Sequence, residues 1–502
     1  MAETSRNNPN VPDDREHSRA VVAVLAVVGG ALCVVLLVLR VLPLDVSGEW
    51  LWPQNPAPRW DELAAVFAVF ILFAGCTLCA LSLWSSATRA QRAAAIAVLS
   101  ALAGVLWLSS AKLSPAGLYE MPFAVAVPKS NAYFFEATTV KSLKAYLAAY
   151  EEASRQGPFR VQLSTHPAGP VVMFYAVQQL FRWSPLLTER TLGMASWLAP
   201  PEGDIEASLV QGLLPAERSL RAAAWASAFI LILCAVLALP ALYALCARLI
   251  SPTAGVIAVG FFAPCPALHL FSPALDQTLV LLAILVVWLL FMAVEKNSWA
   301  MGLGVGVLVV VALQFSISLV VVVAVGAGTL ALTRFSLRRG LPIRALIGAA
   351  GGLAIFSGLL AVLFDYNTLE VWIECARQNA HFNRLAGRAY GSWLALNVIE
   401  WAVFLGMPAA VLSGASAVRR SRCAVAVALY VILLILNVTG ANRGEVGRLW
   451  MPLMPLACVA AAAELDDFAH KRAWFAPLLT LQFAGMVALK LSVDALGLYQ
   501  IG

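Results

Sequence analysis

Apolar runs of about 20 residues, divided by short polar stretches, recur from Val21 to the C-terminus. They lie at roughly 20–43, 61–84, 93–111, 170–183, 222–247, 253–272, 276–294, 299–313, 316–333, 341–364, 391–416, 422–439, 450–464 and 474–495. A helix rises 1.5 Å per residue, so a hydrocarbon layer about 30 Å thick takes about 20 residues to cross. Each run is therefore a candidate transmembrane helix, although several are too short to cross alone. Basic clusters punctuate them: Arg89 and Arg92; Arg334, Arg338, Arg339 and Arg344; Arg419, Arg420 and Arg422; Lys471 and Arg472. Lys and Arg collect on cytoplasmic loops. With the N-terminus inside, the first, third and fourth clusters share the cytoplasmic side only if one middle segment fails to cross. The weak segments are 170–183 and the pair 299–313/316–333, which Gln314 and Ser316 interrupt. The pattern predicts an all-α polytopic membrane protein with about 13 transmembrane helices.

The first 18 residues are polar and of mixed charge, which predicts a cytoplasmic tail over 1–19. One multi-span domain follows over 20–495, and a short tail over 496–502. The first apolar run lacks a small-residue cleavage site and is too long for a signal peptide, so it reads as an uncleaved span. Four polar stretches, 44–60, 112–169, 365–390 and 440–449, fall on the extracytoplasmic side. Within 138–156, Val140, Leu143, Tyr146, Leu147 and Tyr150 recur at helical spacing with Lys and Glu opposite, the pattern of an amphipathic surface helix. Residues 367–385 read as a second one.

Composition narrows the class further. Of 502 residues 61% are hydrophobic and 12% charged, against about 25% charged in soluble domains. The mean hydropathy is +0.82. A soluble enzyme, a disordered chain, a collagen, a secreted disulfide scaffold and a nucleic-acid binder are all excluded. The net charge of +6 follows from basic cytoplasmic loops and needs no acidic partner. The nine cysteines lie mostly in apolar runs, without metal-ligand or disulfide spacing, and read as small buried hydrophobes.

Several polar loops gathered on one face mark that face as the site of function. Asp45 and Glu49 follow the first span, with Trp50 and Trp52 behind them. Two carboxylates at the water–lipid boundary suit a general base and a metal or substrate ligand; the plainer reading is solvated acids beside an aromatic belt. The run Thr165-His166-Pro167-Ala168-Gly169-Pro170 imposes a rigid entry on the next segment and holds one imidazole at the membrane rim. The run Asn442-Arg443-Gly444-Glu445-Val446-Gly447-Arg448-Leu449-Trp450 sets two arginines around glycines where a span begins. Guanidinium forks and free N–H groups at a helix start grip phosphate or diphosphate. These arginines also lie outside, against the positive-inside bias. Lesser features are Leu275-Asp276-Gln277 opening a span, where Asp276 is a candidate site acid or equally a helix N-terminal charge, His269 in a span, and Glu400, a candidate cavity liner, with Asn397 in the same span.

This succession resembles the GT-C superfamily of polytopic glycosyltransferases. More narrowly, it resembles bacterial integral membrane members with a His-Pro-Pro-Gly-Pro loop and a late Arg-Gly-Glu-Val-Glu-Arg-Ile-Trp stretch. The residues concerned are Gly48-Glu49-Trp50, Tyr133-Phe134-Phe135-Glu136-Ala137, Thr165–Pro170, Leu275-Asp276-Gln277 and Arg443–Trp450. Ala168 replaces the second Pro and Gly447 the second acidic residue. The resemblance implies transfer of a sugar from a polyprenyl-phosphate donor to a lipid, glycan or protein acceptor, in a bacterial plasma membrane with the site facing outside. It gives the general base to Asp45 or Glu49, the donor phosphate to Arg443 and Arg448, and substrate contacts to His166, Glu136 and Glu445. No cofactor is required by the residues, and a divalent metal is compatible with them. Competing readings are a transporter or flippase of lipid-linked saccharides, a ligase or polymerase of lipid-linked glycans, and an inactive member of the same fold. The charges concentrate in loops and no internal repeat is visible, which favours the enzyme over a transporter.

Overall fold

The computed structural model describes residues 14–494 except 43, 45, 47, 48, 56, 57, 130, 157–159, 200–214, 337–339 and 420–422. Asp45, Gly48, Arg338, Arg339, Arg420, Arg422 and both chain ends thus lie outside the described residues.

Helices carry the architecture. Among the described residues the β pairing amounts to two isolated bridges, Val46 with Trp50 and Gln54 with Val493. Seven helices are long and apolar enough to cross a membrane: Glu16–Val38, Trp60–Leu83, Arg89–Ala111, Arg218–Leu249, Asp276–Lys296, Ile343–Phe364 and Lys471–Ser492. The pair Tyr390–Leu405 and Met407–Val418 brings the number to eight if taken as one span. Shorter apolar helices, including Pro252–Phe262, Trp299–Phe315 and Ala424–Val438, pack among them.

Local chemistry places the breaks. Thr88 and Gln91 form a reciprocal capping box that starts Arg89–Ala111. The predicted run 391–416 is bent by 115°. Gly406 stands at the bend with φ +98°, and the Gln482 side chain donates to the freed Leu405 carbonyl at 2.6 Å. Helices Trp299–Phe315 and Ile343–Phe364 meet backbone to backbone. Gly302 and Gly306 of one, and Gly348 and Gly352 of the other, leave no room for a Cβ against the facing carbonyls.

Contacts sort the helix ends into two sets. At one, rich in arginine, Arg19 pairs with Asp467 at 3.2 Å, Arg419 with Glu464, and Lys471 with Asp466 at 2.5 Å. At the other lie the long loops. There Asn55 donates to the Lys490 carbonyl at 3.3 Å, and the Lys490 ammonium meets Glu120 at 3.0 Å, both side chains buried. Helix Gly169–Trp183 keeps to this loop-bearing end: Gly169 lies against Gln314, and Arg182 reaches Glu217 at 3.7 Å.

The predicted surface helix over 138–156 is not continuous. Val140 closes helix Ala132–Thr139, and Leu143–Ala148 and Tyr150–Ala153 follow, broken at Ala149. Tertiary bonding outweighs helical periodicity here: the buried Tyr150 hydroxyl donates to the carbonyls of His166 at 2.8 Å and Leu163 at 3.2 Å. The second segment is a helix, Thr368–Leu385, capped by Asn367.

Candidate active site

The first loop, the 385–393 junction and the 442–450 turn converge at the loop-bearing end. One Glu49 oxygen, Oε2, accepts from the Ala389 N–H at 2.8 Å and the Trp393 indole N–H at 2.9 Å. Between these segments sits Arg388, 9% exposed, pairing with Glu445 at 2.7 Å. Its guanidinium lies 4.7 Å from the Trp50 ring centroid and 5.7 Å from that of Trp393, a cation held between two aromatic faces. Arg388 also donates to the Arg443 carbonyl, and Arg443 returns a bond to the Arg388 carbonyl at 2.9 Å.

The turn owes its shape to left-handed backbone at Gly444 (φ +80°) and Glu445 (φ +58°). The second costs energy in a residue with a Cβ, so the surroundings must hold it. They do. The Asn397 carbonyl oxygen accepts from the Gly444 N–H at 3.0 Å, and its amide donates to the Asn442 carbonyl at 2.9 Å. Glu400, 1% exposed, accepts from the Val446 N–H at 3.0 Å. Asn397 and Glu400, one helical turn apart, thus brace the turn from beneath rather than line an open cavity.

Four residues later Arg448 meets Asp276 at 3.0 Å. His166 is close enough to feel both charges. Its ring stands edge-on to Tyr133, with centroids 5.5 Å apart. Nδ1 lies 3.2 Å from both the Gln162 carbonyl and the Thr165 hydroxyl; the carbonyl only accepts and the hydroxyl already donates to the Val161 carbonyl at 2.7 Å, which assigns the proton to Nδ1 and the lone pair to Nε2. Burial first, and the Arg448 charge second, lower the imidazole to about 4, against a smaller opposing effect of Asp276. His166 is therefore neutral at pH 7. Gly169 explains why its run needs a glycine: a Cβ would stand 2.5 Å from the Gln314 carbonyl oxygen. Glu136 faces Tyr146 instead, and burial raises its carboxyl above the usual range.

The structure therefore joins Glu49, Arg443 and Glu445 in one cluster and pairs Arg448 with Asp276 at the far end of the 443–448 turn, with His166 within range of both charges. Glu136 faces Tyr146, one helical turn from the Tyr133 that touches His166, and Asp45 is outside the described residues. Arg388 is the residue that sequence reasoning missed; its one signal was an arginine in an extracytoplasmic loop. Asp276 proves to be the partner of Arg448. Arg388 and Arg448 are neutralised by carboxylates, whereas Arg443 has no carboxylate partner among the described residues and its Nε has no hydrogen-bond partner there. Among the described residues no three His, Cys, Asp or Glu side chains gather closely enough to hold a metal ion.

Residues 220–361 match the family described as dolichyl-phosphate-mannose-protein mannosyltransferase. No curated protein matches the chain. The matched family is one of membrane glycosyltransferases of the GT-C type. Most of the motifs that carry the resemblance lie outside 220–361, so the two indications rest largely on different parts of the chain and agree on an integral membrane glycosyltransferase of that type.

Proposed function

We propose that this GT-C-type protein moves a sugar from a polyprenyl-phosphate donor to a lipid, glycan or protein acceptor at its loop-bearing end, outside the cytoplasm of a bacterial inner membrane. Arg443 carries this reading: it is a guanidinium without a carboxylate partner among the described residues, fixed by Arg388 beside two neutralised arginines. An unbalanced cation at the membrane rim suits a lipid phosphate. On this reading the chain makes thirteen passes, with the arginine-rich end cytoplasmic and Gly169–Trp183 the segment that does not cross.

The reaction forms a bond from the acceptor oxygen to the anomeric carbon and breaks the bond from that carbon to the phosphate oxygen. The departing lipid phosphate takes the electron pair, and Arg443 with Arg448 stabilises its charge. The acceptor proton goes to a first-loop carboxylate, Asp45 or Glu49. Both bonds to Glu49 end on Oε2, which orients the carboxylate and leaves Oε1 for an acceptor hydroxyl. Neutral His166 accepts a hydrogen bond from a substrate hydroxyl at Nε2 and stays uncharged. Glu445 holds Arg388 in place, and Glu136 contacts substrate from the neighbouring loop.

The test is transfer of radiolabelled sugar from a panel of polyprenyl-phosphate sugars in membranes, comparing wild type with Asp45→Asn, Glu49→Gln and Arg443→Ala. Loss of transfer in Arg443→Ala and in one carboxylate variant supports the reading and identifies the base. Unchanged transfer in all three overturns the site assignment, and no transfer from any donor overturns the activity.

A further inference from the structure

At the arginine-rich end, remote from the candidate active site, the ends of helices Arg218–Leu249, Asp276–Lys296, Leu319–Ser336 and Ala424–Val438 enclose a cavity of about 270 Å³. Its lining is mixed, with Phe291, Leu330 and Val425 among the apolar residues and Arg248, Arg334 and Glu295 among the charged ones. Arg248 spends two of its nitrogens, Nε and one terminal nitrogen, on a single Glu295 oxygen. Arg334 donates to the Gly340 carbonyl from one terminal nitrogen, and its buried Nε has no hydrogen-bond partner among the described residues. One carboxylate against two guanidiniums in the lining leaves a net positive charge. An unpartnered buried N–H of a charged group costs free energy, which a bound anion recovers.

We propose that this cavity binds the phosphodiester of an anionic phospholipid, held between Arg248 and Arg334. A lipid fits better than a soluble phosphate because the same lining joins charged groups to apolar side chains at the ends of membrane helices. Leu332, on the helix that supplies Arg334, is also 43% exposed on the bundle exterior. Basic pockets between membrane helices take lipid headgroups in this way. The site is independent of the transferase reading and needs no sugar donor.

The experiment uses the full chain, delipidated and returned to nanodiscs of phosphatidylcholine alone or phosphatidylcholine with phosphatidylglycerol. Retained lipid is counted by native mass spectrometry after release. Wild type is expected to retain phosphatidylglycerol over phosphatidylcholine roughly tenfold or more. Arg334→Gln and the double variant Arg248→Gln/Glu295→Gln, which leaves no orphaned carboxylate, should each lose most of that preference. Arg344→Gln, which alters an exposed arginine of the same end, should keep it. If either of the cavity variants fails to fold, the melting temperature of wild type decides instead, rising with phosphatidylglycerol and not with inorganic phosphate. Equal retention of both lipids by wild type, unchanged preference in folded cavity variants, or equal protection by inorganic phosphate each overturns the proposal.

Discussion

Arg388 and Arg443 exchange hydrogen bonds with each other's main chain, each guanidinium donating to the other's carbonyl across 55 residues of sequence. The exchange fixes two separate loops as one unit. Because Arg388 also pairs with Glu445 and packs between Trp50 and Trp393, a single side chain holds the first loop against the 442–450 turn.

Replacing Arg388 therefore should damage the site without dismantling the bundle. Arg388→Ala strands Glu445 and removes a cation between two rings, a loss of about 2 kcal/mol. Sugar transfer is expected to fall roughly tenfold or more with most of the fold intact. Arg388→Lys keeps the charge but not the planar fork, so it should recover stability more than activity. Thermal unfolding in detergent, with transfer assays on the same preparations, checks both.

The neutral state of His166 gives a pH signature. Its folded pKa, about 4, lies below the ordinary histidine value of about 6.5. Between those values the unfolded chain binds the proton more readily, so this residue makes stability fall as pH drops from about 6.5 towards 4. The raised Glu136 carboxyl acts in the opposite sense, since the folded state then holds its proton longer. His166→Gln should flatten the acid side of the stability profile over that window. Melting temperature against pH for the two proteins provides the comparison; parallel profiles would show that the imidazole is not held neutral.

The buried pair Lys490–Glu120 predicts strong non-additivity. Glu120→Ala leaves an ammonium buried beside an apolar wall and should cost about 3–5 kcal/mol. Glu120→Gln combined with Lys490→Met removes both charges and should regain most of that loss. A double-mutant cycle of unfolding free energies measures the coupling.

How much of this was legible in the sequence varies with the range of the interaction. Helices set by composition stand close to where periodicity puts them: 61–84 against Trp60–Leu83, and 341–364 against Ile343–Phe364. Burial in lipid or in neighbouring helices acts on every residue of such a run, so the signal accumulates along it. The 138–156 stretch carries a weaker signal, and one buried hydroxyl, that of Tyr150, redirects it. The motif around Arg443–Arg448 was visible because its glycines and arginines are adjacent. Arg388, between Gly387 and Ala389, has no such local context, and its meaning comes from Trp50, Trp393 and Glu445. Asn397 and Glu400 drew attention as polar groups in an apolar run, but their work as braces for a distant turn appears only in three dimensions.

The ties of the first loop also govern when the site comes into being. Glu49 is bonded to residues 340 and 344 positions later, and Asn55 to one 435 positions later. During synthesis the loop reaches its side of the membrane hundreds of residues before either support exists. A nascent chain that has inserted only its first helices holds Glu49 without the N–H groups that orient it. Synthesis of helix Lys471–Ser492 is then the step that completes the supports of the first loop, and a chain cut before Lys490 lacks one of them.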